Sequence, residues 1–363
     1  MTPLQIALKS AALQLPYRIQ DAWRNRRATR VRKRMLILRH AGKSPHFYDC
    51  VLRWLERELP EVRELFELAL LPCPFWGWSR YALCVPWLPD PVEDWSLSAY
   101  LRVRRIEAAC DQHAIPVVNR VERLASAGKA AGARLMAAAG LRTPQIVPII
   151  QPAALRRIAD RAGLPLVIRE DRGHGAPSFV VREPSDFRRI PWHQYARPVA
   201  ARFVDVRDSV DGHYRTYRCF VAGDVAVPRH LIVSKHWDVR NQRVINAATR
   251  EEEMSYLARP ERNTKVFLRA RKALGLDVVA FDYSYDKNGQ MIVWEANPFP
   301  HLDYPRGMDA ESLTPYVQRS FAVLVRWYLI RAGLPIPGKL RNTLWRCVPH
   351  DAPASPPADA VAA

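Results

Sequence analysis

Lysine is scarce in this chain: only nine of its 55 basic residues are Lys, so arginine is the default cation and a single Arg carries little functional signal. Long apolar runs are missing too. None approaches the ~18 residues a membrane-spanning helix needs, and the apolar opening at residues 4–15 is broken by Lys9 and follows no cationic segment. Neither a spanning helix nor a standard secretory signal is therefore expected. The six cysteines are scattered with no C-x-x-C pair, which excludes the usual zinc and dithiol motifs and reads as reduced thiols of a cytoplasmic protein. No internal repeat is visible.

The 363 residues are 48% hydrophobic and include 11 tryptophans, enough for real cores and for two or three domains. Acidic residues number 36 against the 55 basic ones, a formal charge of +19 that points to anionic partners. Residues 1–40 hold ten basic side chains against one acid, Asp21, and so carry about half of that excess. This segment reads as a weakly amphipathic helix (Leu4, Leu8, Ala11, Ala12, Leu15) leading into an Arg-rich stretch at 24–34. That stretch is either a solvated arm or a contact for RNA or an anionic membrane.

Strand-like runs at 35–39, 65–71 and 81–88 alternate with helical patterns at 47–58 and 97–113, and a strand is expected at 115–118. This first unit is α/β. A helix at 128–140 follows, then a strand at 145–150, a helix at 152–162, and strands at 166–169 and 179–182 around a loop containing Gly173 and Gly175. Beyond residue 200 the pattern gives strands at 201–206, 214–222, 225–233, 278–285 and 291–296. Helices are expected at 251–257, 264–274 and 313–334, and a Pro/Ala-rich tail from 349 is expected to be disordered.

Two hairpins carry the chemistry. Asn288-Gly289 between alternating apolar runs signals a two-residue turn pairing Lys287 with Gln290, which places Asp282 opposite Glu295. Asn297 shares that face, and Phe281, Tyr283, Ile292 and Trp294 are expected on the core face. Opposed carboxylates repel unless a cation relieves them, and an all-oxygen set suits Mg²⁺ or Mn²⁺. Gly223-Asp224 as a second two-residue turn pairs Ala222 with Val225 and sets Arg218 against Arg229, two guanidinium groups suited to holding an anion.

These residues, in this order, resemble the ATP-grasp superfamily over residues 35–305, in particular carboxylate–amine ligases of the glutathione-synthase and ribosomal-protein-modifying type. Asp282 with Glu295-Ala296-Asn297-Pro298 is similar to that family's metal pair, which makes Asp282, Glu295 and Asn297 the implied metal ligands. Asn119 followed by Lys129 resembles the opening of the grasp core, so Lys129 is implied to contact phosphate. Residues 166–175 resemble the strand, Lys and glycine loop that close over ATP, with Arg169 in place of the Lys and Gly173 and Gly175 in the loop. Residues 201–205 resemble the linker strand that reads adenine, implicating Phe203 and Asp205, with Asp205 or Asp208 toward ribose; the usual acid near its start is absent. Arg218 and Arg229 resemble the arginines that meet the terminal phosphate and the acyl phosphate.

The resemblance implies an ATP-grasp core at 119–310 made of two α+β subdomains (119–200 and 201–310). It is preceded by a basic arm (1–34) and a small α/β domain (35–118), and followed by a helical segment (311–348) and the tail (349–363). It implies a ligase that uses Mg-ATP to join a small-molecule or peptide carboxylate to an amine or thiol acceptor through an acyl phosphate, and a homodimer as a common arrangement. An amine acceptor needs no dedicated base, and His230, His236 and His301 read as structural or substrate-contacting. Lys235 is either a substrate-side cation or a surface residue, and Asn241 and Asn246 are further candidates for metal or phosphate contact. The competing reading is a nucleotide-sensing or inactive module whose arm at 24–34 binds RNA or membrane. A phosphotransferase on the same fold is the third.

Overall fold

The computed structural model describes residues 3–26, 33–43, 46, 48–72, 77–173, 177–304 and 310–345. The chain opens with α1 (Pro3–Asn25), which leads to a parallel sheet of β1 (Arg34–His40), β2 (Phe66–Leu71) and β3 (Tyr81–Pro86) in the order β2-β1-β3. The continuous apolar run of β1 is buried on both faces, as a central parallel strand requires. Between β1 and β2 lie α2 (Asp49–Glu58) and α3 (Pro60–Arg63); after β3 come α4 (Val92–Trp95) and α5 (Leu97–Gln112). The side chain of Ser96 accepts from Ala99 N and caps α5. The strand expected at 115–118 is reduced to one parallel bridge, Cys84 to Val117.

The N-terminal segment is not a free arm where it is described. Asn25 Nδ2 donates to Leu68 O at 2.8 Å and Leu68 N donates to Asn25 Oδ1 at 2.9 Å, so one side-chain amide pairs the open edge of β2 as a strand would. Arg24 pairs with Asp49 and Arg34 with Glu67. Residues 27–32 of the basic stretch and the tail from 349 lie outside the described residues.

The chain leaves the first unit at Asn119 (φ 48°), whose amide is fully used. Its Oδ1 accepts from Asp277 N and Val278 N, and its Nδ2 donates to Val278 O and Pro298 O. Asn119 is thus a pin between segments. Next come α6 (Lys129–Ala138), β4 (Ile146–Pro148), α7 (Leu155–Ala162), β5 (Leu166–Glu170), β6 (Phe179–Val181) and β7 (Pro198–Arg202), giving an antiparallel sheet β4-β7-β5-β6. The strand expected at 201–206 lies three residues earlier and ends at Arg202. Its partners begin at Ile146 and Leu166, just past Pro144 and Pro165, so the ladder runs out there and Phe203 to Asp205 leave the sheet.

The last sheet holds β8 (Tyr214–Ala222), β9 (Val225–Ser234), β10 (Val278–Tyr285) and β11 (Met291–Asn297) in the antiparallel order β11-β10-β8-β9, with α8 (Ala247–Ala258) and α9 (Thr264–Ala273) between its hairpins. The helix α10 (Ala310–Arg331) then returns to the first sheet, followed by α11 (Gly338–Trp345), which periodicity alone did not indicate. Phe321 and Tyr328 of α10 share one core with Trp54, Phe66 and Trp87, and Trp87 Nε1 donates to Tyr328 OH at 3.0 Å. Cys50, Cys84, Cys110 and Cys219 are free and buried, and among the described residues no helix is long and apolar enough to cross a membrane.

Candidate functional site

Asp282 does stand opposite Glu295, but by a different route from the one the turn suggests. The loop has three residues, Lys287, Asn288 and Gly289. Gly289 N donates to Asp286 O and Asp286 N to Gln290 O, with Gly289 at φ +70°. That loop slips the register by one, so Tyr283 pairs with Val293, and a bulge at Trp294 restores it at Asp282. The expected core face is corrected accordingly. Val293 joins Phe281 and Tyr283 in the core, whereas Ile292 and Trp294 turn to the other side, where Trp294 Nε1 donates to Ser284 Oγ at 2.7 Å.

The arginine hairpin is corrected in the same way. Ala222 pairs with Val225 as expected, but a bulge follows Pro228 and Arg218 faces His230, not Arg229. Proline has no N–H to give the ladder, so a strand carrying it interrupts its pairing at that point. Arg218 instead reaches across the neighbouring ladder to its partner Asp282, with Nε donating to Oδ1 at 2.5 Å and Nη2 to Oδ2 at 2.6 Å. Burial opposes the charge on Arg218, but Asp282 outweighs it and the pKa is raised. Arg229 lines a separate cavity of about 320 Å³, donates Nη2 to Asp303 O and leaves Nε without a partner. Burial, with the charge of Arg218 nearby, pushes it down to about 10.

Glu295 has its own cations. Arg169 Nη2 donates to Glu295 Oε2 at 3.2 Å and Lys129 Nζ lies 3.9 Å from the same oxygen. Lys129 also donates to the carbonyls of Asp171 and Gly173, so it ties the start of α6 to the glycine loop. Burial pushes its pKa down, and Glu295 offsets this in part. The repulsion between the opposed carboxylates is thus relieved by the protein's own side chains: three cations, Lys129, Arg169 and Arg218, surround two anions.

These groups line a cleft of about 880 Å³ between the two antiparallel sheets, together with Asn297, Gly173, Phe203 and His230. One part of it is aromatic and apolar, where Phe203 meets Trp237 edge to face at 6.0 Å beside Trp294 and Ile232. Asp205 is not part of it. It is exposed, accepts from Arg207 N and pairs with the Arg207 guanidinium, because Phe203 is the last linker residue held by a backbone bond, to Pro165 O. Gly175 lies outside the described residues. His230 is pushed well below the usual imidazole range by burial and by Arg218, Arg229 and Arg243, so it is neutral. Lys235 and Asn241 are exposed, and Asn246 is spent on capping α8. Lys43, Trp237 and Arg243 line the cleft without having been singled out; Lys43 had the rarity of lysine as its signal.

The described start of the glycine loop and the residue before β7 are both tied to the first unit. Arg172 forks onto Asp90 and Glu93, and Arg197 donates to Asp94 at 2.6 and 2.7 Å.

Asp282, Glu295 and the amide oxygen of Asn297 are hard oxygen donors, the chemistry a Mg²⁺ or Mn²⁺ ion takes. Among the described residues no group of three or more His, Cys, Asp or Glu side chains is placed to hold a metal. Each of the three also has a protein partner: Asp282 holds Arg218, Glu295 holds Arg169, and the Asn297 amide oxygen accepts from Phe299 N at 2.9 Å.

No protein-family model matches the sequence, and no curated protein matches it either. Solved structures do. The VanG D-Ala:D-Ser ligase of Enterococcus faecalis superposes with a TM-score of 0.54 at 14% identity, covering 83% of this chain and 99% of its own. The D-alanine–D-alanine ligase of Bacillus anthracis, solved with ATP, gives 0.51 at 13%, covering 82% and 97%. A RimK domain ATP-grasp protein of Sphaerobacter thermophilus gives 0.50 at 16%, covering 82% and 99%. At such identities the likeness is one of fold: this chain has the ATP-grasp fold, one parallel sheet followed by two antiparallel ones, each in its own subdomain.

Proposed function

We propose that this ATP-grasp chain is an ATP-dependent ligase that activates a carboxylate as its acyl phosphate and passes the acyl group to an amine or thiol. The observation that carries the reading is the placement of Asp282 opposite Glu295, beside Asn297, in a cleft where Lys129, Arg169 and Arg218 supply a surplus of positive charge. In this reading the aromatic slot at Phe203, Trp237 and Trp294 takes the base. Lys129 and Arg169 neutralise the phosphates, and Gly173, with the loop latched by Arg172, excludes water. Mg²⁺ held by Asp282, Glu295 and Asn297 would neutralise the phosphate charge as it shifts.

The carboxylate oxygen attacks the terminal phosphorus and ADP leaves. The acceptor then attacks the acyl carbon, releasing phosphate and its own proton. In this reading Arg218 holds the transferring group once its pair with Asp282 loosens. Such chemistry is mostly positioning and charge neutralisation. Arg229 faces the adjoining cavity and has no role in this reading. Residues 35–118 would form the acceptor side.

One observation favours the reading without turnover: both carboxylates already hold protein cations, as in a site that binds nucleotide but does not use it. Isothermal titration of a non-hydrolysable ATP analogue, with and without Mg²⁺, on the wild type and on Glu295→Gln tests the site. Metal-dependent binding weakened in the variant supports it, and no binding at millimolar nucleotide would sink it. ADP release on screening carboxylates with amines then separates the ligase from the sensor.

A further inference from the structure

Over residues 14–26 the helix α1 is inside out. The side chains buried there against the body are polar: Gln14 and Asp21 are buried, Asp21 pairs with Arg39, Arg24 with Asp49, and Asn25 with the edge of β2. Its outer face is apolar and open. Leu15, Ile19 and Trp23, spaced four apart along one face, are 56%, 61% and 65% exposed, and Ala12 and Ala22 beside them are exposed as well. A surface helix ordinarily points such a stripe at the core. Here charge pairs and an amide do the docking, and the stripe faces outward.

The charge beside the stripe has one sign. Asp21 is the only acid in the first 40 residues and is consumed by Arg39, whereas the exposed ionic side chains flanking the stripe are Arg26 and Arg18, the latter with Nη2 donating to Gln14 Oε1 and Pro72 O. A second copy docked through this face would bring these arginines against their counterparts. A bilayer with anionic headgroups would bring phosphate to them.

We propose that the outer face of α1 lies flat on an anionic membrane surface, with Leu15, Ile19 and Trp23 at the acyl boundary and Arg18 and Arg26 among the headgroups. Three large side chains and a few cations give reversible attachment that needs both terms. The binding therefore depends on anionic lipid and weakens with salt. This inference is independent of the nucleotide cleft.

The test is flotation of the full chain with vesicles of phosphatidylcholine alone and of phosphatidylcholine mixed with phosphatidylglycerol. The wild type is expected to float with the mixed vesicles at low salt and to be released as salt rises. Ile19→Ser with Trp23→Ser is expected to lower the partition coefficient by about tenfold or more, because two large apolar side chains no longer leave water. Val210→Ser, at a residue 94% exposed elsewhere, is expected to change nothing. The substituted side chains are solvent-facing, so unchanged melting temperatures check that the fold is kept. Failure of the wild type to float with mixed vesicles overturns the proposal, as does flotation that survives the double substitution. A solution dimer or an RNA complex that depends on Ile19 and Trp23, without vesicle binding, would assign the face to that partner instead.

Discussion

Arg218→Ala offers the most direct test of the charge balance in the cleft. Arg218 holds both oxygens of Asp282, and the two side chains are only 18% and 12% exposed. Removing the guanidinium leaves Asp282 opposite Glu295 with no cation of its own, on the wall of the cleft. Breaking a buried pair from one side costs about 3–5 kcal/mol, and the residual exposure argues for the lower end, about 3 kcal/mol. For a chain of this size that is a fall in melting midpoint on the order of 5 °C.

Removing both charges, in Arg218→Ala with Asp282→Asn, is expected to recover much of the loss, because no buried ion is then left unpaired. The same reasoning predicts a change in metal response without nucleotide. Mg²⁺ does little for the wild type, whose carboxylates are already paired, and stabilises Arg218→Ala, whose carboxylates are not. Thermal melts of the three proteins, with and without Mg²⁺, read all of this. A loss below about 1 kcal/mol for Arg218→Ala, or equal Mg²⁺ stabilisation of wild type and variant, would refute the account of the site as a balance of three cations against two carboxylates.

Three other outcomes follow from the packing. Glu107 is buried, accepts from Val121 N at 2.8 Å, and has its pKa pushed up to about 7 by burial, which that hydrogen bond only partly offsets. A carboxyl raised on folding stabilises while protonated, so its contribution is complete below about 4.5 and is lost as pH climbs through about 7. Relative to Glu107→Gln, the wild type should lose about 3 kcal/mol between pH 5 and pH 8, and parallel melting curves across that range would contradict it. Gly223 sits at φ +60°, where a Cβ would lie 2.0 Å from a ring carbon of Trp327. Gly223→Ala should therefore cost more than about 3 kcal/mol, and a variant melting within a degree or two of wild type would contradict the packing. Arg172→Ala with Arg197→Ala removes the ion pairs that tie the sheet of β5 and β7 to Asp90, Glu93 and Asp94, and should raise hydrogen exchange across β5 and β7 several-fold; unchanged exchange would mean these pairs hold nothing.

Much of the scaffold was legible locally. The apolar run at β1, the strand of β10 and the helix of α5 each follow from periodicity over a few residues, and the Gly-first turn at Gly223-Asp224 was read with its register. The placement of Asp282, Glu295 and Asn297 was legible as well, because side-chain alternation puts them on one face once their strands are identified. The correct pairing of Asp282 with Glu295 nevertheless rested on two departures that cancel, a three-residue loop and a bulge at Trp294. Where only one departure occurs, at Pro228, the reading failed, and Arg218 found Asp282 rather than Arg229.

By itself, then, the sequence determined the alternation of strands and helices, the two hairpins and the carboxylate pair, since these depend on backbone preferences and spacing within a few residues. Only the tertiary structure decided what those side chains meet. Arg169 and Lys129 reach Glu295 from elements distant in the chain, β7 stops where its partners run out, and α1 docks through Asp21, Arg24 and Asn25 with its apolar side facing out. The reason is physical: bulges, strand ends and ion pairs are set by which surfaces come together, and that information is not local to any segment.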